Sequence, residues 1–326
     1  MNRVSIIMYH YVRDLKQGRF RDIKGLDIDL FNGQINYLAR HYHVITMDEL
    51  INSIDNNDPL PPKAVLLSFD DGYNDHIDHV FPVLSKHKIQ GSFYPSAKIV
   101  LNSEVLDVNK IHFILATVED KNILVNELFH KIDEYRQTYG LDKNETYFST
   151  YAVAGRYDSK EVIFIKRMLQ VVLVEELRNI ICNYLFSKYV TADEHAFSKE
   201  LYMDVDKIRY LLSEGMHIGS HGHDHYWLGS LTKEKQEFEI DKSMEFLKMI
   251  GCDMKRWTMC YPYGNYNNDT LDILKNKSCK LALTTRINIA TLHEDHKYTL
   301  PRLDTNDIPT AENADTNKWF MEASAK

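Results

Sequence analysis

Residues 64–73 read AVLLSFDDGY, a run that changes character halfway along its length. Its first five residues are almost all apolar, which is typical of a strand buried on both faces of a parallel sheet. The run then passes directly into Asp70, Asp71 and Gly72. Adjacent carboxylates at a strand end point in different directions, so one can bind a cation while the other accepts a proton. Asp-Asp-Gly is also an ordinary turn sequence, and the pair alone does not separate these two interpretations.

Short apolar runs and helical patterns alternate on both sides of this segment. That order is expected for a parallel sheet with crossover helices, and so for an α/β fold. Thr46 and Glu49 have the spacing of a capping box and predict the start of one helix. We predict further strands at 5–9, 91–94, 216–220, 258–261 and 281–285, and helices at 30–42, 76–86, 205–213 and 232–250.

The middle of the chain breaks this alternation. Residues 98–203 have mainly helical patterns, for example at 159–185, without matching strands. Catalytic barrels carry long insertions on the loops at their active face, and one barrel with an insertion fits the chain length as well as two domains do. We predict a discontinuous barrel (1–97 and 204–310), a helical insertion or lid (98–203) and a polar, frayed tail (311–326).

Composition and charge exclude several classes of protein. With 44% hydrophobic and 26% charged residues, the chain has the composition of a soluble globular protein. The net charge of −8 disfavours a nucleic-acid surface. We expect no membrane span and no signal peptide, and hence a cytoplasmic protein, because the apolar runs are too short for either. The four cysteines have no CxxC spacing and predict free thiols. Whether the chain self-associates is not indicated.

A second polar group follows the strand predicted at 216–220. His221 and His225 are four residues apart, which places two imidazoles on one side of a helical turn. His223 lies between them and is expected to face elsewhere. Such spacing also arises by chance in a chain with 15 histidines. The location directly after a buried strand is what favours a metal site.

A third loop, Tyr261-Pro262-Tyr263-Gly264, follows the strand predicted at 258–261. Proline and glycine fix its backbone, and a rigid turn can aim a backbone N–H at a developing oxyanion. A purely structural corner explains the same residues equally well. All three loops follow the carboxyl ends of predicted strands, where parallel α/β folds gather their active sites. That shared position predicts a single site more strongly than any one motif does.

Taken together, these segments resemble the polysaccharide deacetylase family, also called the NodB-homology domain or carbohydrate esterase family four. Residues 68–73, 219–228 and 261–264 are similar to its first, second and third motifs. Residues 8–10 and 300–302 resemble elements of the branch that acts on poly-N-acetylglucosamine. The resemblance implies a distorted (β/α)7-type barrel, and it does not extend to the helical middle of the chain.

The resemblance also implies a role for each motif residue. Asp70 would be the catalytic base, and Asp71, His221 and His225 would hold a divalent cation. The backbone N–H of Tyr263 would belong to an oxyanion hole. Two imidazoles and a carboxylate suit Zn²⁺, which we favour, and also Ni²⁺, Co²⁺ or Fe²⁺.

Two features depart from the family pattern. Cys260 stands where the family usually has an arginine that orients the catalytic Asp. We predict Arg302 as its replacement, with a simple surface salt bridge as the alternative. The C-terminal Leu-x-x-His motif, which supplies the family's general acid, is absent, and the resembling branch points to His10 instead. His293 and His296 are alternatives on a loop that we expect to be solvated.

The predicted activity is metal-dependent hydrolysis of an N-acetyl group on an amino sugar, in the biosynthesis or modification of a cell-surface polysaccharide. Two alternatives remain at this stage. One is deformylation or deacetylation of a nucleotide- or lipid-linked sugar precursor. The other is a non-catalytic carbohydrate-binding domain, although the intact pair Asp70 and Asp71 weighs against it. Tyr73, Tyr226 and Trp227 flank the motifs and either stack on a sugar or pack in the core.

Overall fold

The computed structural model of the chain describes residues 2–155, 158–292 and 294–324. These residues form two compact units. The first unit contains residues up to 14, 25–104 and those from 198 onward. The second unit contains residues 15–24 and 105–197.

The boundaries of the first unit differ by a few residues from those that we predicted. Backbone hydrogen bonds explain the difference. The amide of Lys98 donates to the carbonyl of His223 (3.1 Å), and the amide of Met203 donates to the carbonyl of Gly72 (3.0 Å). Both ends of the predicted insertion are therefore bonded to the loops that follow the barrel strands, and they belong to the barrel unit.

Eleven strands are present in the described residues. The strands are β1 (Arg3–Tyr9), β2 (Val12–Arg13), β3 (Leu26–Asp27), β4 (His43–Val44), β5 (Ala64–Asp70), β6 (Gly91–Tyr94), β7 (His217–Ile218), β8 (Met259–Cys260), β9 (Ala282–Ile287), β10 (Ala290–Thr291) and β11 (Leu300–Asp304). The main sheet has the order β7-β6-β5-β1-β11-β9-β8, and each neighbouring pair along this path is parallel. At its margins β4 pairs parallel with β5 and β10 pairs antiparallel with β1.

The two ends of this sheet meet. Ser220, just after β7, forms an isolated parallel bridge with Met259 of β8. The amide of Ser220 donates to Thr258 (2.9 Å), and the amide of Cys260 donates to the carbonyl of Ser220 (2.8 Å). The seven main strands therefore curl into a barrel that is distorted where β7 and β8 join, which confirms the predicted fold class.

Helices cover the barrel and make up the second unit. Fourteen α-helices are found in the described residues, besides short π- and 3₁₀-helical turns. The α-helices are α1 (Ile28–His41), α2 (Met47–Asn56), α3 (Phe81–His87), α4 (Ala97–Asn102), α5 (Asp107–Thr117), α6 (Lys121–Tyr139), α7 (Asn144–Tyr151), α8 (Lys160–Arg167), α9 (Glu175–Tyr189), α10 (Glu194–Leu201), α11 (Val205–Ser213), α12 (Lys233–Ile250), α13 (Asn268–Asn276) and α14 (Lys318–Ser324). The predicted capping box is present at the start of α2, because Thr46 and Glu49 bond reciprocally. None of the described helices is both long and apolar enough to cross a bilayer.

Residues 105–197 of the second unit are mainly helical in their described part, as predicted for the middle of the chain, whereas residues 15–24 form turns and bends. Residues 15–24 belong to this unit because Phe20 packs edge-on against Phe113 (ring centroids 4.8 Å apart). The helical pattern at 159–185 is confirmed, and in the structure it is divided between two helices. Leu173 and Val174 are extended and separate α8 and its π-helical last turn from α9. The break follows Val171 and Val172, whose branched side chains disfavour a helix.

The predicted fraying of the C-terminal tail is wrong for residues 318–324. These residues form α14, and Trp319 is 8% exposed. Its indole N–H donates to the Asp307 carboxylate (3.2 Å). Burial of one indole with its polar atom satisfied is enough to hold a short segment against the barrel unit.

Candidate metal centre

β5 brings the two adjacent carboxylates to the carboxyl edge of the barrel. Asp70 ends the strand and pairs in register with Tyr94 of β6. Asp71 has a φ of 70°, a left-handed conformation that turns its side chain away from that of Asp70. Gly72 also has a φ of 70°, and a Cβ there would lie 2.7 Å from the Cβ of Pro95. Both the conformation and the lack of space explain why the residue after the pair is glycine.

The Asp71 carboxylate faces both histidines of the second motif. Its Oδ1 lies 3.3 Å from Nε2 of His221 and 3.4 Å from Nε2 of His225, and all three residues are buried. The hydroxyl of Tyr73 donates to the other oxygen, Oδ2. Burial would raise the pKa of Asp71, but the two imidazoles that face its carboxylate hold it well below its usual range. Asp71 is therefore a carboxylate.

The hydrogen bonds of the histidines decide which ring nitrogen is available. Nδ1 of His221 lies 2.8 Å from the carbonyl oxygen of Cys260. A carbonyl only accepts, so Nδ1 carries the proton and Nε2 presents a lone pair toward Asp71. Burial also opposes the charged form of His221, but Cys260 and Asp71 raise its pKa, so a proton competes with a cation for Nε2. Burial lowers the pKa of His225 and favours its neutral, ligating form.

These three side chains fit a divalent cation. One oxygen and two nitrogens lie within 4.8 Å of one another. Asp71 Oδ1 is buried, and among the described residues it receives no hydrogen bond of good geometry. A buried carboxylate oxygen without a donor is costly unless a cation compensates it. One carboxylate and two imidazoles also form a three-ligand set of the kind that leaves a coordination position open.

Asp70 is bound by an arginine from β11, two strands away in the sheet. Arg302, on β11, donates from Nη1 to Oδ1 (2.9 Å), and its Nη2 lies 2.8 Å from Oδ2. Arg302 is 1% exposed and also donates to Ser68 Oγ (3.1 Å) and the carbonyl of Thr284 (2.8 Å). The alternative that Arg302 forms a simple surface salt bridge is therefore wrong. Burial would raise the pKa of Asp70, but Arg302 lowers it to about 2.

The two oxygens of Asp70 have different surroundings. Oδ1 accepts from Arg302 and lies 3.4 Å from the thiol of Cys260, which is fully buried. Oδ2 lies 3.8 Å from Nε2 of His10, whose side chain is 42% exposed. Protein groups thus occupy Oδ1, while Oδ2 is on the side of the partly exposed imidazole. Of the two histidines considered as alternatives, His296 packs against Tyr298 (ring centroids 5.4 Å apart) and His293 lies outside the described residues.

The turn that contains Tyr263 lies beside His225. Tyr263 has a φ of 57°, and its ring contacts His225 edge-on (ring centroids 4.8 Å apart). The ring of Trp227 stacks on the ring of Tyr263 (centroids 4.7 Å apart, interplanar angle 18°). Tyr73, by contrast, is fully buried with its hydroxyl bound to Asp71, so for this residue packing is the correct alternative.

Sequence reasoning missed the residue that holds the histidine loop from below. Glu239, on α12, is 2% exposed, and its Oε2 accepts from the amides of His223 (3.0 Å) and Asp224 (2.8 Å). Burial, together with the nearby Asp224 carboxylate, raises its pKa to about 8. A signal was present, since Gln236, Glu239 and Ser243 recur at three- and four-residue spacing and mark a polar stripe that α12 buries.

The comparisons with known proteins concern the family and the fold of the chain. The model of the family described as polysaccharide deacetylase matches residues 57–112 and 175–282, together half of the chain. No curated protein matches the sequence.

The solved structures that are similar in fold include the following three. One is the Streptococcus pyogenes deacetylase PplD in complex with acetate (16% identity, TM-score 0.58, covering 93% of this chain and 92% of that one). Another is IcaB from Ammonifex degensii (17% identity, TM-score 0.56, 100% and 98% covered). The third is a de-N-acetylase from Aggregatibacter actinomycetemcomitans (16% identity, TM-score 0.54, 99% and 100% covered). At such low identity these likenesses establish the fold, and the family follows from the matched half of the sequence. The chain belongs to the polysaccharide deacetylase family.

Proposed function

We propose that this chain hydrolyses the N-acetyl group of an amino sugar in a polysaccharide, with a divalent cation held by Asp71, His221 and His225. One observation carries the proposal. The buried Asp71 Oδ1 faces two imidazole nitrogens at 3.3 and 3.4 Å, directly beside the separately held carboxylate of Asp70. A non-catalytic carbohydrate-binding site would need no base beside a metal site. Zn²⁺ suits the three ligands best, and Ni²⁺, Co²⁺ and Fe²⁺ suit them as well.

Asp70 is the base in this proposal. Arg302 keeps it ionised and fixes its plane through both carboxylate oxygens. Both oxygens contact Arg302, but the Cys260 thiol donates to Oδ1, whereas Oδ2 is on the side of the partly exposed His10, so we assign Oδ2 to receive the proton of the attacking water. A carboxylate with so low a pKa is a weak base and requires an acidic water. A cation held by Asp71, His221 and His225 would supply one, since a divalent cation can lower the pKa of water from about 15.7 toward about 7 and polarise an acyl carbonyl.

His10 is the acid, and Tyr263 stabilises the oxyanion. An amine is too basic to leave unprotonated, so a proton donor is required on the leaving-group side. His10 is partly exposed, and its Nε2 lies 3.8 Å from Asp70 Oδ2, which places a titratable group at the edge of the site. The backbone N–H of Tyr263, in the rigid turn against His225, contributes to stabilising the negative charge on the carbonyl oxygen.

Acetate release tests the proposal. Purified protein is incubated with N-acetylated oligosaccharides, sugar nucleotides and lipid-linked amino sugars, and free acetate is measured. We expect release from the oligosaccharides, loss of release after chelation, and recovery when Zn²⁺ is added back. Release that survives complete removal of metal would contradict the metal assignment. Saccharide binding without release of any acyl group would instead support a binding domain, and formate release would support deformylation.

Glu239 provides a separate test of the metal site. Replacing Glu239 with Leu leaves the amides of His223 and Asp224 without an acceptor, at about 1–3 kcal/mol each when buried. We expect the Zn²⁺ affinity, measured by competition with a fluorescent indicator, to fall by about 10- to 100-fold. Gln is the matched control, because it keeps an acceptor oxygen and resembles the protonated carboxyl that a pKa of about 8 favours. Equal affinities in the Leu and Gln variants would show that Glu239 does not hold the loop.

A further inference from the structure

We propose that His76, assisted by Asp75, is a positioning residue that fixes the backbone of His10 and so aims the acid at the leaving amine. This inference rests on the proposed function, because it assigns a supporting group to the acid. Neither residue belongs to the three motifs 68–73, 219–228 and 261–264 that carry the roles proposed above. The two follow closely after Asp70 and Asp71, and His76 begins the π-helical turn His76–Val80 that leads into α3.

The segment that carries His10 needs support because it has left the sheet. β1 ends at Tyr9 and β2 begins at Val12, so His10 and Tyr11 lie outside both strands. Backbone groups without a strand partner must find other hydrogen bonds or remain solvated. The position of an acid on such a segment is only as well defined as these additional contacts make it.

Residues at the end of β5 and just after it pack against the residues on either side of His10. Tyr9 stacks on Phe69 (ring centroids 4.9 Å, 17°), and Tyr11 stacks on Tyr73 (4.2 Å, 22°). Tyr73 in turn donates to the metal-site carboxylate. The residues before and after His10 are thus packed on both sides of the paired carboxylates.

Asp75 and His76 bind the backbone itself. Nε2 of His76 lies 3.0 Å from the carbonyl oxygen of His10. Oδ2 of Asp75 accepts from the amide of Val12 (3.2 Å) and from Nε of Arg13 (2.8 Å), and Arg13 Nη2 donates to Oδ1 (3.0 Å). One residue holds the carbonyl of His10 and its neighbour holds the amide two positions later. The orientation of the peptide between them is therefore fixed.

His76 is built for this single hydrogen bond. It is fully buried, and its ring contacts Phe69, Tyr73 and Phe93 at centroid distances of 5.5 to 5.7 Å. A carbonyl only accepts, so Nε2 carries the proton. Burial lowers the pKa of His76, which is consistent with a neutral ring that serves as a donor. The His10 imidazole itself stays partly exposed and able to meet a substrate.

The consequence is specific to one step of the reaction. Loss of the His76 hydrogen bond displaces the acid but leaves the contacts of Asp70 with Arg302 and of Asp71 with its histidines in place. Cleavage of an amide depends on protonation of the leaving amine, whereas 4-nitrophenyl acetate releases a phenolate that departs unprotonated. The two substrates therefore separate positioning of the acid from damage to the base or the metal site.

The experiment compares amide and aryl-ester turnover in the metal-loaded full-length protein. The variants are His10→Ala, His76→Leu, His76→Asn and His76→Gln, and the substrates are an N-acetylglucosamine oligosaccharide and 4-nitrophenyl acetate. We expect His76→Leu and His76→Asn to lose about 10- to 100-fold in kcat on the amide with little change on the ester, since a displacement of about 1 Å can cost 10²-fold. His76→Gln, whose amide nitrogen reaches the position of Nε2, should retain most amide turnover. Metal content is measured for each variant, and the Asn variant serves if the Leu variant does not fold.

Equal losses on both substrates, or no loss on the amide, in His76→Leu and His76→Asn would overturn the positioning role. Failure of Gln to restore amide turnover would overturn it as well. His10→Ala reports on the underlying assignment separately. If this variant shows no preference for the ester, the acid is not His10 and the roles of both histidines are removed, while acetate release still decides the proposed hydrolysis. A selective loss in His10→Ala alone removes only the role of His76.

Discussion

Replacing Asp70 with Asn is expected to lower turnover of an N-acetylated substrate by about 10²- to 10⁴-fold, the usual contribution of a general base. The metal content should not change, because Asp70 lies beside the three metal-site side chains and is held by Arg302 instead. Acetate release and metal content, measured on the same preparation, give the result.

Asp71→Asn is the matched control, since it makes the same chemical change one residue along the chain. This variant should lose bound metal together with activity, because Asp71 Oδ1 faces both imidazoles. Asp70→Asn with full turnover, or Asp70→Asn with loss of metal equal to that of Asp71→Asn, would refute the division of labour between the two carboxylates.

Replacing Arg302 with Met is expected to lower the free energy of unfolding by about 3–5 kcal/mol, because removing one member of a buried ion pair leaves the other charge uncompensated. Asp70 is 1% exposed. Nη1 of Arg302 donates to its Oδ1, and Nη2 lies 2.8 Å from its Oδ2. Ser68 and the carbonyl of Thr284 also lose a donor. Urea denaturation of the metal-free protein measures the change without a contribution from metal binding.

A double-mutant cycle isolates the pair. Asp70→Asn combined with Arg302→Met should cost clearly less than the sum of the single changes, because no buried charge is then left without its partner. Arg286→Met is the control on the neighbouring strand β9, where the side chain is 51% exposed and pairs with Asp295. Its loss should cost about 0–1 kcal/mol, as for other surface ion pairs. Additive costs in the Asp70 and Arg302 cycle would mean that the two buried charges do not stabilise each other.

The sequence by itself determined the features that depend on residues close together in the chain. The apolar run before Asp70 predicted β5, which is buried along its whole length. Thr46 and Glu49 predicted the helix start that α2 shows, because a capping box is closed by a side chain only three residues away. The four-residue spacing of His221 and His225 predicted that both imidazoles share one side, and both face Asp71, although the segment is an irregular loop with a φ of 60° at His225 rather than the helical turn we predicted. Such patterns carry their geometry with them, since backbone conformation alone sets the distance between near neighbours.

Only the tertiary structure decided which distant residues complete the site. Arg302 and Asp70 are 232 positions apart in the sequence. They meet because their strands, β11 and β5, lie on either side of β1 in the sheet. Every central strand of such a barrel has a similar apolar pattern, so the order and register of the strands cannot be read from hydrophobicity. The contacts of Glu239 and His76 could not be predicted from the sequence either. Glu239 accepts from the amides of His223 and Asp224, and His76 bonds to the carbonyl of His10, so each side chain binds the backbone of another element. Backbone amides and carbonyls are identical at every position, so nothing in the sequence marks the one that a buried side chain will bind.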